Sequence, residues 1–187
     1  VAEIDLTIPY LREKFAEKIV DSHAFRGDET IVVSREGLRE FISSLKEDAK
    51  LEFDFLTDLT AVDFLGKKEP RFEVVYHLYS FRFNRRLRVK VPVPDDEPFV
   101  ESLTPLWKGA NWLEREVWDM FGIRFEGHPD LRRILLYEEF QGYPLRKDYP
   151  VNQWQPLVPE REVQGTFVDQ RSRNKLMQLQ QKIGAKG

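Results

Sequence analysis

The chain has 187 residues, of which 41% are hydrophobic and 33% charged, and its formal charge is −3 at pH 7. That length is one domain's worth, enough to bury roughly 70% of the unfolded surface, and the weak negative charge speaks against generic nucleic-acid binding. Cysteine is absent, which excludes disulfides, thiolate-held iron–sulfur clusters and a thiol nucleophile.

In chain order, Pro9 suits a first helical turn, and Leu11, Phe15, Ile19 and Val20 follow at helical spacing. Residues 30–33 read as a short strand after a Gly27-Asp28 turn. Ser34 is the predicted cap of a second helix, with Leu38, Phe41, Ile42 and Leu45 along one side. Leu51, Phe53 and Phe55 alternate with Glu52 and Asp54, which is strand period, and residues 72–81 are aromatic and β-branched. The clearest strand is 86–93, where Leu87, Val89, Val91 and Val93 alternate with Arg86, Arg88, Lys90 and Pro92. Pro92 lacks an amide hydrogen and belongs near a strand end or edge.

After Pro94 a proline-punctuated, charged connector leads to Trp107. Asn111 with Glu114 three residues on has the spacing of a capping box, and Gly122 is placed to end that helix. Leu113, Val117, Met120 and Phe121 form its apolar stripe, while Trp112 and Trp118 fall on the charged arc and call for burial. Beyond Tyr149, Pro150, Pro156 and Pro159 break the chain, and a short helix is expected only at 175–183. The sum is an α+β fold: a mostly antiparallel mixed sheet with helices packed on one face, followed by an extended irregular C-terminal tail. Residues 1–150 form the α+β domain and 151–187 the tail, which is expected to contact partner subunits. No signal peptide and no ~18-residue apolar span are visible, so a membrane is expected to be reached only through a partner.

The densest acid and histidine cluster is Glu114, Glu116, Asp119 and His128. Glu116 and Asp119 share a helix face, as an acid/base or metal pair would. Arg115, Arg124, Arg132 and Arg133 lie close by, however, and paired carboxylates are poor catalysts. An ion network of Glu114, Arg115, Glu116, Asp119, His128, Arg132 and Arg133 is therefore the expectation, with no catalytic, metal or cofactor-binding residue. His128, in a Gly-His-Pro-Asp turn, is expected to hold a backbone carbonyl, and Asp130 to cap the turn that follows. Arg82, Arg85, Arg86, Arg88 and Lys90 beside Tyr76, Tyr79, Phe81 and Phe83 allow a second reading, a single-stranded RNA-binding module. A solvated basic strand face is favoured over it, because no aromatic RNA-binding signature occurs.

Glu-Arg-Glu, two residues, an acid, two apolar residues, six residues, histidine, three residues and arginine is a long pattern. Glu114, Arg115, Glu116, Asp119, Met120, Phe121, His128 and Arg132 fill it, followed by Ile134 and Leu135. With GYPLRKDYP at 142–150, this stretch resembles the 30-kDa subunit family (the C subunit) of NADH:quinone oxidoreductase, respiratory complex I, and the likeness covers roughly residues 30–150. What the resemblance implies is a cofactor-free structural subunit of the peripheral arm, with no activity expected from the isolated chain. FMN, iron–sulfur clusters and quinone are then expected in partner subunits. The implied partners are the hydrogenase-like quinone-site subunit (the D subunit) and the cluster-bearing subunits B and I, with no nucleic acid. The implied place is the cytoplasmic face of the cell inner membrane, peripheral, in a complex. Related domains occur in membrane-bound hydrogenase and formate hydrogenlyase complexes, and the chain resembles the separate form of the 30-kDa subunit rather than a fusion. The segment Arg146, Lys147, Asp148 and Tyr149 is the expected partner interface, because interface cores favour arginine and aromatic residues.

Overall fold

The computed structural model describes residues 7–158. The elements run α1 (Thr7–Lys14), β1 (Ile19–Phe25), β2 (Asp28–Val33), α2 (Leu38–Glu47), β3 (Phe55–Asp63), β4 (Phe72–Ser80), β5 (Arg85–Val93), β6 (Phe99–Glu101), α3 (Ala110–Phe121) and β7 (Arg124–Glu126). Strands β1 to β5 form a sheet in the order β1-β2-β5-β4-β3. Only the β2–β5 pairing is parallel; the other three are antiparallel. A separate parallel pair joins β6 to β7.

Register explains which face is buried. Phe72, Val74, Tyr76 and Leu78 of β4 lie opposite Val93, Val91, Val89 and Leu87 of β5. All eight are buried and share one hydrophobic core with Leu11 of α1, Leu38, Phe41, Ile42 and Leu45 of α2, and Val117, Met120 and Phe121 of α3. The helices therefore cover one face, and each buried Leu, Ile or Phe contributes roughly 1.5–3 kcal/mol relative to exposure. On the other face Glu73, Val75, His77 and Tyr79 lie opposite Pro92, Lys90, Arg88 and Arg86. Pro92 sits beyond the last β2–β5 pair, Val32 with Lys90, where that flank of β5 has no neighbour to receive an amide.

Several expected elements differ. Ile19 and Val20 do not continue α1: a turn over residues 15–18 ends the helix and they open the edge strand β1. Leu51 and Phe53 are buried but lie in the loop before β3, which starts only at Phe55. Ser34 does not cap α2. Its N-cap is Gly37 at φ 66°, a left-handed position that glycine takes without strain. Asn111 does not cap α3 either; that helix begins a residue earlier, behind Gly109, with no side-chain cap. Gly122 ends α3 as expected, at φ 74° with its amide on the Trp118 carbonyl. The irregular course expected after Tyr149 holds to residue 158, and the helix expected at 175–183 lies outside the described residues.

Candidate functional site: a charge-braced C-terminal surface

After β7 the chain runs without helix or strand from residue 127 to 158, so its amides need partners other than a ladder. Asp119, on α3, supplies them. One carboxylate oxygen accepts the amides of Ile134, Leu135 and Leu136 at 3.1, 2.9 and 2.9 Å. The other takes Arg133 Nη1 at 2.6 Å. Burial alone would raise the Asp119 carboxyl, but these donors outweigh it and hold it below the usual carboxylate range. Arg133 then donates from Nη2 to the carbonyls of Phe140 at 2.8 Å and Gly142 at 3.2 Å. Its guanidinium lies over the rings of Trp118, Phe140 and Tyr143. One buried acid and one arginine thus shape the loop.

The remaining signature residues brace backbone more than they pair with each other. Arg115 donates to the carbonyls of Arg132 at 3.0 Å and Arg133 at 2.9 Å. His128 Nδ1 accepts the Asp130 amide at 3.0 Å, which leaves Nε2–H to donate to the Asn111 carbonyl at 3.2 Å. Arg132 pairs with Asp130 at 2.8 Å, both exposed, a contact worth at most about 1 kcal/mol. Residues 131–133 form no helical turn for Asp130 to cap. Glu116 and Arg124 are exposed, and neither joins an ion pair among the described residues. Glu114 departs furthest from expectation. It is fully buried and, instead of closing a capping box or meeting an arginine, it accepts Ser102 Oγ at 2.7 Å and the Leu103 amide at 2.6 Å. With no cation beside it, burial pushes its carboxyl up to about 7.

The expected partner segment is turned largely inward. Arg146 donates from Nε to the Phe121 carbonyl at 2.6 Å and lies over the rings of Phe72 and Tyr143. Asp148 binds Arg71, and Tyr149 stacks on Phe140 at 6.1 Å between ring centres. The Lys147 amide donates to Asp63 at 2.8 Å, while its side chain is exposed. Arginine and aromatic residues here serve the chain's own loop before any neighbour.

The hub of this loop went unread in the sequence. Arg71 is buried between Asp63 at 2.8 Å, Asp95 at 2.9 Å and Asp148 at 2.7 Å. Burial would raise Asp63, but hydrogen bonds from Arg71 and from the Lys147 and Leu65 amides bring it down to about 2. A signal for it existed. Leu59, Ala61 and Asp63 all occupy the core side of β3, and a carboxylate in an apolar stripe requires a buried cation. Close packing completes the loop: a Cβ on Gly122 would stand 2.5 Å from the Tyr143 ring, so only glycine admits that ring.

What this bracing leaves outside is apolar. Trp112 is 70% exposed, Leu135 62% and Trp154 94%, so Trp112 lacks the cover expected for it, whereas Trp118 is half-buried beneath Arg133. On the basic strand, Tyr76 faces the core and is fully buried, so it shares no platform with Arg86 and Arg88. Among the described residues no group of three or more histidines or acids could hold a metal ion. No helix among them is long and apolar enough to cross a membrane.

Fold and site together define an α+β domain with a charge-braced, tryptophan-bearing C-terminal surface. The chain belongs to the family described as respiratory-chain NADH dehydrogenase, 30 Kd subunit, which matches residues 31–155. It is 49% identical over 151 residues to the NADH-quinone oxidoreductase C subunit of Geobacter sulfurreducens, covering 81% of this chain and 92% of that one. The C subunit of a Roseiflexus species is 50% identical over 141 residues, covering 75% and 80%. Among solved structures, a trypsin-resistant fragment (1-134) of Nqo5 is 37% identical with a TM-score of 0.59, covering 66% of this chain and 97% of the fragment. A chain of a membrane-bound sulfane sulfur reductase, an archaeal respiratory membrane complex, is 26% identical with a TM-score of 0.63, covering 78% and 84%.

Proposed function

We propose that this chain is a cofactor-free structural subunit of the peripheral arm of a proton-translocating NADH:quinone oxidoreductase, flanking the hydrogenase-like quinone-site subunit. One observation carries the reading. The charged signature residues are largely spent on the chain's own loop, while Trp112, Leu135 and Trp154 beside them stay in water. A catalytic site converges polarised groups on a substrate-sized space. An interface instead presents aromatic anchors on a rigid support. FMN, iron–sulfur clusters and quinone then belong to partner subunits, subunits B and I lie nearby, and the complex sits at the cytoplasmic face of the inner membrane. The likeness to the sulfane sulfur reductase chain supports a second reading, the equivalent place in a related membrane complex such as a hydrogenase or formate hydrogenlyase; the higher identity to the Geobacter and Roseiflexus proteins favours the first. The test is a mild-detergent purification on a tag at Gly187. Co-purified iron–sulfur signals with NADH:quinone activity support the first reading, hydrogenase or sulfur reductase activity the second, and a lone chain neither.

A further inference from the structure

One end of the sheet carries a rim that the signature surface does not use. The parallel register of Glu29 against Leu87 sets the turn between β1 and β2 beside the turn between β4 and β5. Phe55 opens β3 opposite Tyr79 at this same end. Arg71 lies just before Phe72 at the other end of β4, about 26 Å away at ~3.3 Å per residue. At the rim Phe25, Phe55 and Phe81 are 66%, 45% and 64% exposed. Phe81 packs against Phe55 at 5.4 Å and edge-on to Tyr79 at 5.1 Å, so the three rings make a wedge. Beside it opens a cavity of about 120 Å³ lined by Asp28, Thr57, His77, Arg86 and Arg88 among others. Arg88 is held by Thr30 Oγ1 at 3.2 Å and Asp28 at 3.8 Å. Arg86 is exposed and joins no ion pair among the described residues.

We propose that this end of the sheet is a second docking surface, which takes an acidic segment of a neighbouring protein subunit. The partner's apolar side chains rest on the Phe55–Phe81 wedge, and one carboxylate enters the cavity beside Arg86. The inference rests on the subunit reading above and adds a second neighbour at the far end of the sheet. Two observations select the partner's chemistry. The turns at 25–28 and 81–86 hold Arg26, Arg82, Arg85 and Arg86 against Asp28, in a chain whose overall charge is −3. Glu52 answers Arg82, so the excess centres on Arg26 and Arg86. The rings, tilted and edge-on to one another, offer no parallel faces on which bases could stack, which favours a protein over a nucleic acid. Exposed aromatic rings interleaved with arginine are the composition of interface anchors.

The test places a photoreactive benzophenone analogue of phenylalanine at position 81 of the tagged full chain, in cells that assemble the complex, with the same probe at position 112 as reference. After irradiation and purification, mass spectrometry maps the attachment. The position-81 probe is expected on a stretch of a neighbouring subunit that contains aspartate or glutamate among apolar residues. Arg86→Glu is expected to cut that yield about tenfold and leave the position-112 yield unchanged. Attachment to nucleic acid, to lipid or to residues 159–187 of this chain overturns the proposal, as does no product at 81 while 112 reacts. Recovery of no assembly and no product at either position overturns the subunit reading together with it.

Discussion

The guanidinium of Arg71 and the carboxylate of Asp148, 77 residues apart in the chain, meet at 2.7 Å. Through that contact the buried arginine ties the C-terminal loop to Asp63 on β3 and to Asp95 in the loop after β5. Arg71→Ala leaves Asp63 buried without its cation, a loss of about 3–5 kcal/mol. Urea unfolding of the purified chain is expected to show it, with faster proteolysis between residues 142 and 150. Asp148→Asn, at a half-exposed position, is expected to cost less than half as much.

Arg146 and Lys147 separate loop bracing from surface. Arg146 holds the Phe121 carbonyl and covers Phe72 and Tyr143, whereas the Lys147 side chain is exposed. Arg146→Ala is expected to destabilise the isolated chain by about 1.5–3 kcal/mol, the range for a charge-assisted hydrogen bond. Lys147→Ala is expected to stay within about 0.5 kcal/mol. Equal melting temperatures for the two variants would return Arg146 to a purely intermolecular role.

Inside the signature the same contrast divides Asp119 from Glu116 and Arg132. Asp119→Asn removes the charge that gathers Arg133 and three amides, and about 3 kcal/mol is expected to go with it. Glu116→Gln and Arg132→Ala are expected to leave stability within about 0.5 kcal/mol, since both residues are exposed. Calorimetry on the three variants settles the ranking, and a Glu116→Gln chain as unstable as Asp119→Asn would contradict it.

Glu114 gives stability a pH dependence of known sign. Its folded pKa, about 7, lies above the ordinary 4.5, so the folded state binds the extra proton. Stability from this group is full below about pH 4.5 and falls as pH rises toward 7, by on the order of 3 kcal/mol in all. His77 acts oppositely below its ordinary 6.5, because burial and Arg88 lower it and the unfolded state binds the proton. Asp63, held at about 2 by Arg71, contributes only above 3.8 and loses its share as pH falls toward 2. The Glu114 contribution is therefore read as a difference. Between pH 5 and 8, the melting temperature of the native chain is expected to fall relative to that of Glu114→Gln; parallel curves would place Glu114 outside this account.

Local pattern carried the sequence reading as far as local pattern reaches. Strand β5 was legible because Leu87, Val89, Val91 and Val93 alternate without interruption, and α2 because Leu38, Phe41, Ile42 and Leu45 keep one face. Strand β1 was hidden by its place at the sheet edge, where Asp21, Ser22 and His23 leave no apolar alternation. In β3 an irregularity between Leu56 and Asp58 resets the side-chain parity, so no single alternation runs through it. Within the site, the signature spacing was visible but its partners were not. Glu114 has the spacing of a capping residue, yet its donors come from Ser102 and Leu103, outside the helix. Arg71 gathers Asp63, Asp95 and Asp148 from three separate segments, an arrangement that only the folded sheet creates.

The central claim is that the braced loop exists to hold an apolar surface against another subunit, and Trp112→Glu tests it most directly. Because Trp112 is largely exposed, the purified variant is expected to melt within about 2 °C of the native chain. In cells, the tagged variant is expected to lose its co-purified complex, with NADH:quinone activity falling in proportion to the subunit recovered. A variant that assembles in full while quinone reduction alone is lost would contradict the account and assign this surface a part in the chemistry.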